Sequence, residues 1–146
     1  MRKWVILMVD SKEKPEHIHF VRVRYVDVDR MGFVYHTRYL EWFEAARTEL
    51  IRTMGKSYCE LEEEGTFLPV VEAYCRYRQP VRYDELVRIR TVVGEVTKSK
   101  LRLEYQLWGE EDQIVRVEGY TSHCFMNASG KPIRASQPLI DFFLTI

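Results

Sequence analysis

An α+β fold, in which a curved antiparallel β-sheet wraps around one long α-helix, is predicted by three features of the sequence. A strand-like segment comes first, and a strongly apolar helical segment follows it. About four further strand-like segments come after that helix. Helices and strands that are separated along the chain are typical of α+β domains, and a helix with this much apolar surface needs a sheet to cover it.

The bulk composition fits one globular domain. A length of 146 residues and a hydrophobic content of 46% are those of a chain that can bury a core. Residues 18–146 are predicted to form this single domain, and residues 1–17 form an N-terminal extension without an assigned role. The apolar run near the start is too short to span a bilayer, so no membrane span is predicted.

Charge and cysteine content restrict the partners and the compartment. Lys plus Arg equals Asp plus Glu at 22 each, so the net charge favours neither nucleic acid nor an anionic membrane as a partner. The three cysteines, Cys59, Cys75 and Cys124, include no C-x-x-C pair and do not indicate a disulfide framework. A reducing, cytoplasmic location is therefore predicted.

The first strand and the main helix are predicted from a change in apolar spacing. Residues 18–28, read "IHFVRVRYVDV", alternate apolar and polar side chains as a half-buried strand does. From about residue 36 to residue 54 the spacing becomes helical, and Gly55 is a natural stop. Leu40, Ala45 and Ile51 widen the apolar side, so this helix is expected to be covered on more than one side. The helical face consists of Tyr39, Phe43, Ala46, Leu50 and Met54.

The rest of the chain is predicted to be mainly strands. A short helix is expected over "SYCELEEEG", and Ser136 is expected to cap a terminal helix that starts near Pro138. Polar turn segments separate the strands, which can pair as antiparallel neighbours. The strand-like segments span residues 67–81, 85–99, 100–109 and 113–127.

The segment "YVDVDRMGFVYH", residues 25–36, is the candidate for chemistry. If the helix starts near His36, its first free N–H groups can stabilise a carbonyl oxygen that becomes negative during a reaction. Asp29, just before them, can attack that carbonyl or activate a water molecule. The simpler interpretation is that Asp29 is a helix cap or a turn residue, and spacing alone favours it. Alternation places Asp27 and Asp29 on the same face.

Other catalytic motifs are absent from the sequence. It contains no G-x-G-x-x-G, no P-loop, no H-E-x-x-H and no G-x-S-x-G. His17 and His19 lie two apart in a strand without a third ligand nearby, so no metal site is predicted. His123 is expected to be a packed or surface histidine.

The run from residue 25 to residue 47 matches a known pattern without a gap. The pattern is Tyr-x-Asp-x-Asp-x-x-Gly-x-Val-Tyr-His, followed by Tyr and by Glu-x-Ala-Arg. The chain therefore resembles the hot-dog-fold acyl-CoA thioesterases of the 4-hydroxybenzoyl-CoA thioesterase family, and most closely the Tol-Pal-associated branch. The matching residues are Tyr25, Asp27, Asp29, Gly32, Val34, Tyr35, His36, Tyr39, Glu44, Ala46 and Arg47.

This resemblance implies an activity and roles for individual residues. The implied reaction is hydrolysis of an acyl-CoA thioester, without a metal or other cofactor, since coenzyme A is part of the substrate. Asp29 is implied as the catalytic nucleophile or general base, and His36 as the donor of a backbone N–H to the thioester carbonyl. Tyr25 is implied to orient the carboxylate or to line the acyl pocket. The residues implied to bind substrate are Gly32, Val34 and Tyr35.

The resemblance also implies a homodimer or homotetramer whose active sites lie between subunits. Coenzyme A and an acyl carrier protein remain alternative carriers of the acyl group. A hot-dog dehydratase is a rival enzyme, but the Phe-Pro-Gly loop that it needs is absent. A non-catalytic acyl-CoA-binding or regulatory module and an interaction protein are the alternatives from other classes, and a carboxylate at position 29 argues against mere binding.

Overall fold

The structure, a computed structural model, describes residues 14–145 and contains a five-stranded antiparallel sheet. The strands are β1 (Glu16–Arg22), β2 (Val70–Tyr77), β3 (Leu86–Val96), β4 (Leu101–Trp108) and β5 (Val115–His123). Their order across the sheet is β1-β3-β4-β5-β2, so β1 and β2 form the two edges. A two-stranded ladder pairs β6 (Phe125–Met126) with β7 (Pro132–Ile133). Most of the predicted N-terminal extension lies outside the described residues.

Three helices accompany the sheet within the described residues. They are α1 (Arg38–Thr53), α2 (Tyr58–Glu63) and α3 (Gln137–Leu144). The predicted cap at Ser136 is confirmed, because its side chain accepts from the Leu139 amide. Ser57, which was not predicted as a cap, accepts in the same way from the Glu60 amide. No helix within residues 14–145 is long and apolar enough to cross a membrane.

Helix α1 lies on one face of the sheet, against β1 and β3. Phe43 is fully buried and its ring stacks on that of Tyr105 in β4, with centroids 4.3 Å apart and planes 4° apart. The predicted apolar face of the helix is therefore the face that packs on the sheet. Of the residues predicted to widen the apolar side of α1, Ile51 is fully buried, while Leu40 and Ala45 are exposed in the single chain. The wider cover is therefore present at Ile51 and missing at the other two positions.

The first strand is shorter than predicted. It ends at Arg22, and Tyr25–Asp27 form one turn of 3-10 helix instead of continuing the sheet. The carboxylate of Asp27 reaches back to accept from the Arg24 amide at 2.8 Å, which closes this turn. Side-chain bonding of this kind competes with strand pairing, and alternation along the sequence does not reveal it.

His123, at the end of β5, is buried. It is therefore the packed histidine of the two predicted alternatives, packed or surface. Its Nδ1 is 3.0 Å from the carbonyl oxygen of Leu68, which can only accept, so Nδ1 carries the proton. Its Nε2 is 2.8 Å from the hydroxyl of Thr121, which is itself 2.7 Å from the hydroxyl of Tyr105. A neutral ring satisfies this chain of hydrogen bonds, and burial lowers the pKa of His123 from 6.5 to about 4.

Because the pKa of His123 is lowered in the folded chain, we expect the fold to lose stability in mild acid. Between pH 6.5 and about pH 4 the unfolded chain binds a proton at His123 and the folded chain does not. The free energy of unfolding should therefore decrease by on the order of 3 kcal/mol as the pH falls through that window. Urea denaturation at pH 7.5 and pH 4.5 measures it, with His123→Asn as the control that cannot titrate. An equal pH dependence in both proteins would contradict the prediction.

Candidate active site

The structure separates the two aspartates that alternation placed on one face. Asp27 is completely buried. Its carboxylate accepts from the Arg24 amide and lies 3.7 Å from Nε of Arg38, at the start of α1. Its carbonyl oxygen accepts from the Tyr35 amide at 2.8 Å. Asp27 is thus tied to residues on both sides of the candidate segment and holds that segment in shape.

Asp29 is half-buried and begins a tight loop. Its amide donates to the carbonyl of Phe33 at 2.8 Å, and its carbonyl accepts from the Gly32 amide at 3.0 Å. Its Oδ1 accepts from the amides of Met31 and Phe33 at 2.9 and 3.4 Å. The turn interpretation of Asp29 is therefore correct as far as Oδ1 is concerned. Oδ2 has no hydrogen bond to any residue between positions 14 and 145.

His36 lies in a turn that precedes α1, not in the first turn of the helix as predicted. The turn is closed by the Arg38 amide, which donates to the carbonyl of Tyr35 at 2.9 Å, and α1 begins at Arg38. Within the described part of the chain, the His36 amide donates no hydrogen bond. It is thus a free backbone donor just before a helix N-terminus, where the helix dipole also favours negative charge.

Asp29 and His36 line the same surface pocket, which has a volume of about 360 Å³. Val34, a predicted substrate-binding residue, lines it too. Val34 is fixed by its amide, which donates to the carbonyl of Val81 at 2.9 Å. The residue with the free carboxylate oxygen and the residue with the unpaired amide therefore line one cavity.

Three of the predicted site residues do not line this pocket. Tyr25 is 81% exposed and its ring contacts that of Tyr83 at 5.5 Å, so it is not placed to orient Asp29 within one chain. Tyr35 is half exposed, with its ring against the His36 ring. Gly32 has φ +82° and open space where a Cβ would lie, so backbone conformation explains the glycine here and close approach does not.

Other pocket residues were missed from the sequence. Tyr77 reaches the pocket from the edge strand β2, and Tyr39 reaches it from α1. From the sequence, Tyr77 is predicted only as part of a strand, and Tyr39 as part of a helical face and of the matching motif, but neither as a site residue. A larger pocket, of about 620 Å³, lies away from Asp29, at the end of α1 beside α3. Within residues 14–145, no group of three or more His, Cys, Asp or Glu side chains is arranged to hold a metal ion.

The fold, a family match and several named relatives place the chain among the thioester hydrolases with a hot-dog fold. This confirms the predicted fold and enzyme class. The chain belongs to the Thioesterase-like superfamily, whose family model matches residues 23–143.

Individual relatives agree with this assignment. The chain is 32% identical over 123 residues to a Bacillus subtilis protein provisionally named acyl-CoA thioesterase YneP, covering 84% of this chain and 88% of that one. It is 40% identical over 88 residues to acyl-CoA thioesterase YbgC of Haemophilus influenzae, covering 60% and 65%. The solved structure of a DHNA-CoA thioesterase from Staphylococcus aureus superimposes with a TM-score of 0.77 at 30% identity, covering 82% and 80%.

Proposed function

We propose that the protein hydrolyses acyl-CoA thioesters to a carboxylic acid and free coenzyme A. The observation that carries the proposal is the shared pocket, since Asp29 and the turn that bears the free His36 amide both line it. Relatives from two bacterial species bear acyl-CoA thioesterase names, which supports the choice of substrate.

Each half of the site has a separate task in the proposed reaction. The His36 amide donates to the thioester oxygen as negative charge develops on it. Asp29 either takes a proton from an attacking water molecule or attacks the carbonyl carbon itself through Oδ2. In the first route the tetrahedral intermediate collapses to the carboxylic acid, the carbon–sulfur bond breaks, and the coenzyme A thiolate takes up the proton that Asp29 removed from water. In the second route collapse expels the same thiolate and leaves a mixed anhydride on Asp29, which a water molecule then hydrolyses, releasing the acid and the proton that the thiolate takes up. No cofactor enters this sequence of steps.

A homodimer joined along the edge strand β2 is part of the proposal. Seven of the eight residues of β2 are exposed in the single chain, and Val71 is 62% exposed. An unpaired edge with apolar side chains is a template for pairing with a second chain. Tyr77 of β2 lines the pocket, so such pairing would bring the partner close to the site. Tyr25 has no described side-chain contact with Asp29 in one chain, and its proposed contribution would then be made across the interface.

The finer assignments are proposed on narrower support. The ungapped motif from Tyr25 to Arg47 supports the Tol-Pal-associated branch. Coenzyme A is proposed as the carrier in preference to an acyl carrier protein because the relatives are named for it. The three cysteines without a paired motif support a cytoplasmic location.

The activity is tested by free-thiol release from short, long and aromatic acyl-CoAs and from one acyl carrier protein thioester. We expect thiol release from at least one acyl-CoA without added metal, and slower release from the acyl carrier protein. Light scattering on the active sample measures its mass and so shows whether the active protein is a monomer, a dimer or a tetramer. Saturable binding of acyl-CoA without thiol release would contradict the proposal and favour a binding module.

A further inference from the structure

The carbonyl group of His36 is not used by the backbone around it. The turn before α1 is closed through the carbonyl of Tyr35, which accepts from Arg38. The first helical hydrogen bond that follows runs from the Leu40 amide to the carbonyl of Thr37, at 3.2 Å. The His36 carbonyl falls between these two and has no main-chain donor in the described part of the chain. Its orientation therefore depends on something outside the segment.

Tyr77 supplies that contact from the other side of the pocket. Its hydroxyl donates to the His36 carbonyl oxygen at 3.1 Å, across 41 positions of sequence. Its ring lies 5.4 Å from the ring of Tyr39 and 6.3 Å from that of His36. Its backbone is held by strand pairing, opposite Val117 of β5. The hydroxyl is thus presented by a fixed strand and a ring that has aromatic neighbours.

The hydroxyl of Tyr77 stays protonated near neutral pH. Partial burial raises its pKa from 10 to about 12, so it remains a hydrogen-bond donor in neutral and mildly alkaline solution. The carbonyl it contacts can only accept, which fixes the direction of the hydrogen bond. The contact is therefore constant over the pH range of an assay.

We propose that Tyr77 is a positioning residue that holds the His36 turn so that the His36 amide faces the thioester. This inference rests on the proposed function. Between Tyr35 and His36, two external hydrogen bonds hold the backbone of the turn in the described residues. Asp27 holds its start, where its carbonyl accepts from the Tyr35 amide, and Tyr77 holds its middle, at the His36 carbonyl. Without the second of these hydrogen bonds the amide would sample orientations in which it misses the oxyanion.

The test is Tyr77→Phe, which removes the hydroxyl and keeps the ring. The net free energy of a neutral hydrogen bond corresponds to a change of about five- to ten-fold in a rate or equilibrium constant. An oxyanion donor acts mainly in the transition state, so kcat for acyl-CoA hydrolysis should fall by about that factor while KM stays within two-fold. The thermal unfolding midpoint should change little, because the hydroxyl lies at the surface of a pocket.

The matched control is Tyr74→Phe, on the same strand. Tyr74 stacks on Tyr120 with ring centroids 5.3 Å apart and does not line the pocket. Because β2 is also the proposed dimer edge, light scattering must give its variant the wild-type mass, and at that mass it should retain the wild-type kcat. A Tyr77→Phe enzyme with unchanged kcat, or with a change in KM alone, would overturn the inference and leave the proposed function intact. Absence of thiol release by the wild-type protein would overturn both.

Discussion

Replacement of Asp29 by asparagine is expected to lower kcat for acyl-CoA hydrolysis by about 100- to 10,000-fold, the usual contribution of a positioned general base. Asparagine keeps the Oδ1 acceptor that binds the Met31 and Phe33 amides, so the loop should keep its shape. It replaces the free Oδ2 by an amide nitrogen, which neither accepts a proton from water nor attacks a carbonyl carbon. The measurement is kcat on the most active acyl-CoA, together with the thermal unfolding midpoint.

Asp27→Asn is the matched control for this experiment, because it changes a carboxylate only two positions away. Asp27 is completely buried against the Arg24 amide and near the Arg38 guanidinium, so its variant should unfold at a lower temperature. Well below that temperature it should retain measurable turnover, since Asp29 is unchanged. Wild-type turnover in Asp29→Asn would contradict the role proposed for Asp29. Loss of turnover in Asp27→Asn at unchanged stability would point to Asp27 instead.

Local sequence signals predicted most of the secondary structure. Ser136 caps the terminal helix as predicted, and Gly55 follows α1 with a positive φ of 105°. The apolar spacing of α1 predicted which side is buried, because Phe43 and its neighbours on that side contact the sheet. These features depend on residues within a few positions of one another, and a sequence pattern contains that information.

The parts of the site that were not predicted depend on distant residues. Asp27 and Asp29 differ in burial because Asp27 lies in a 3-10 turn and contacts Arg38 of α1, and period-two alternation contains neither fact. Tyr77 meets His36 only because β2 pairs with β5 at the edge of the sheet. The exposed Tyr25 has no described contact with Asp29 in one chain. Strand order and subunit contacts are non-local, so spacing along one sequence does not specify them.

The strand that carries Tyr77 depends on Gly119, and Gly119→Ala is expected to destabilise the fold by about 3 kcal/mol. Gly119 pairs with Cys75 of β2 on one side and with Tyr105 of β4 on the other. A Cβ at this position would overlap the carbonyl oxygen of Tyr74 and lie 3.3 Å from Cα of Cys75. Those atoms are backbone and cannot rotate away, so the two strands would have to separate. Urea denaturation measures the loss.

Gly109→Ala is the control that distinguishes this backbone clash from the mere addition of a methyl group. A Cβ at Gly109 would also meet close neighbours, but they are the side-chain ends of Arg116 and Glu85, which can move. The loss of folding free energy in Gly109→Ala should therefore be clearly smaller than in Gly119→Ala.

Because Gly119→Ala displaces β2, it should also lower kcat at temperatures where the protein is still folded, by moving Tyr77 away from His36. Wild-type stability in Gly119→Ala would show that β2 and β5 are not as close as described. Wild-type kcat in a destabilised variant would show instead that the site tolerates movement of β2.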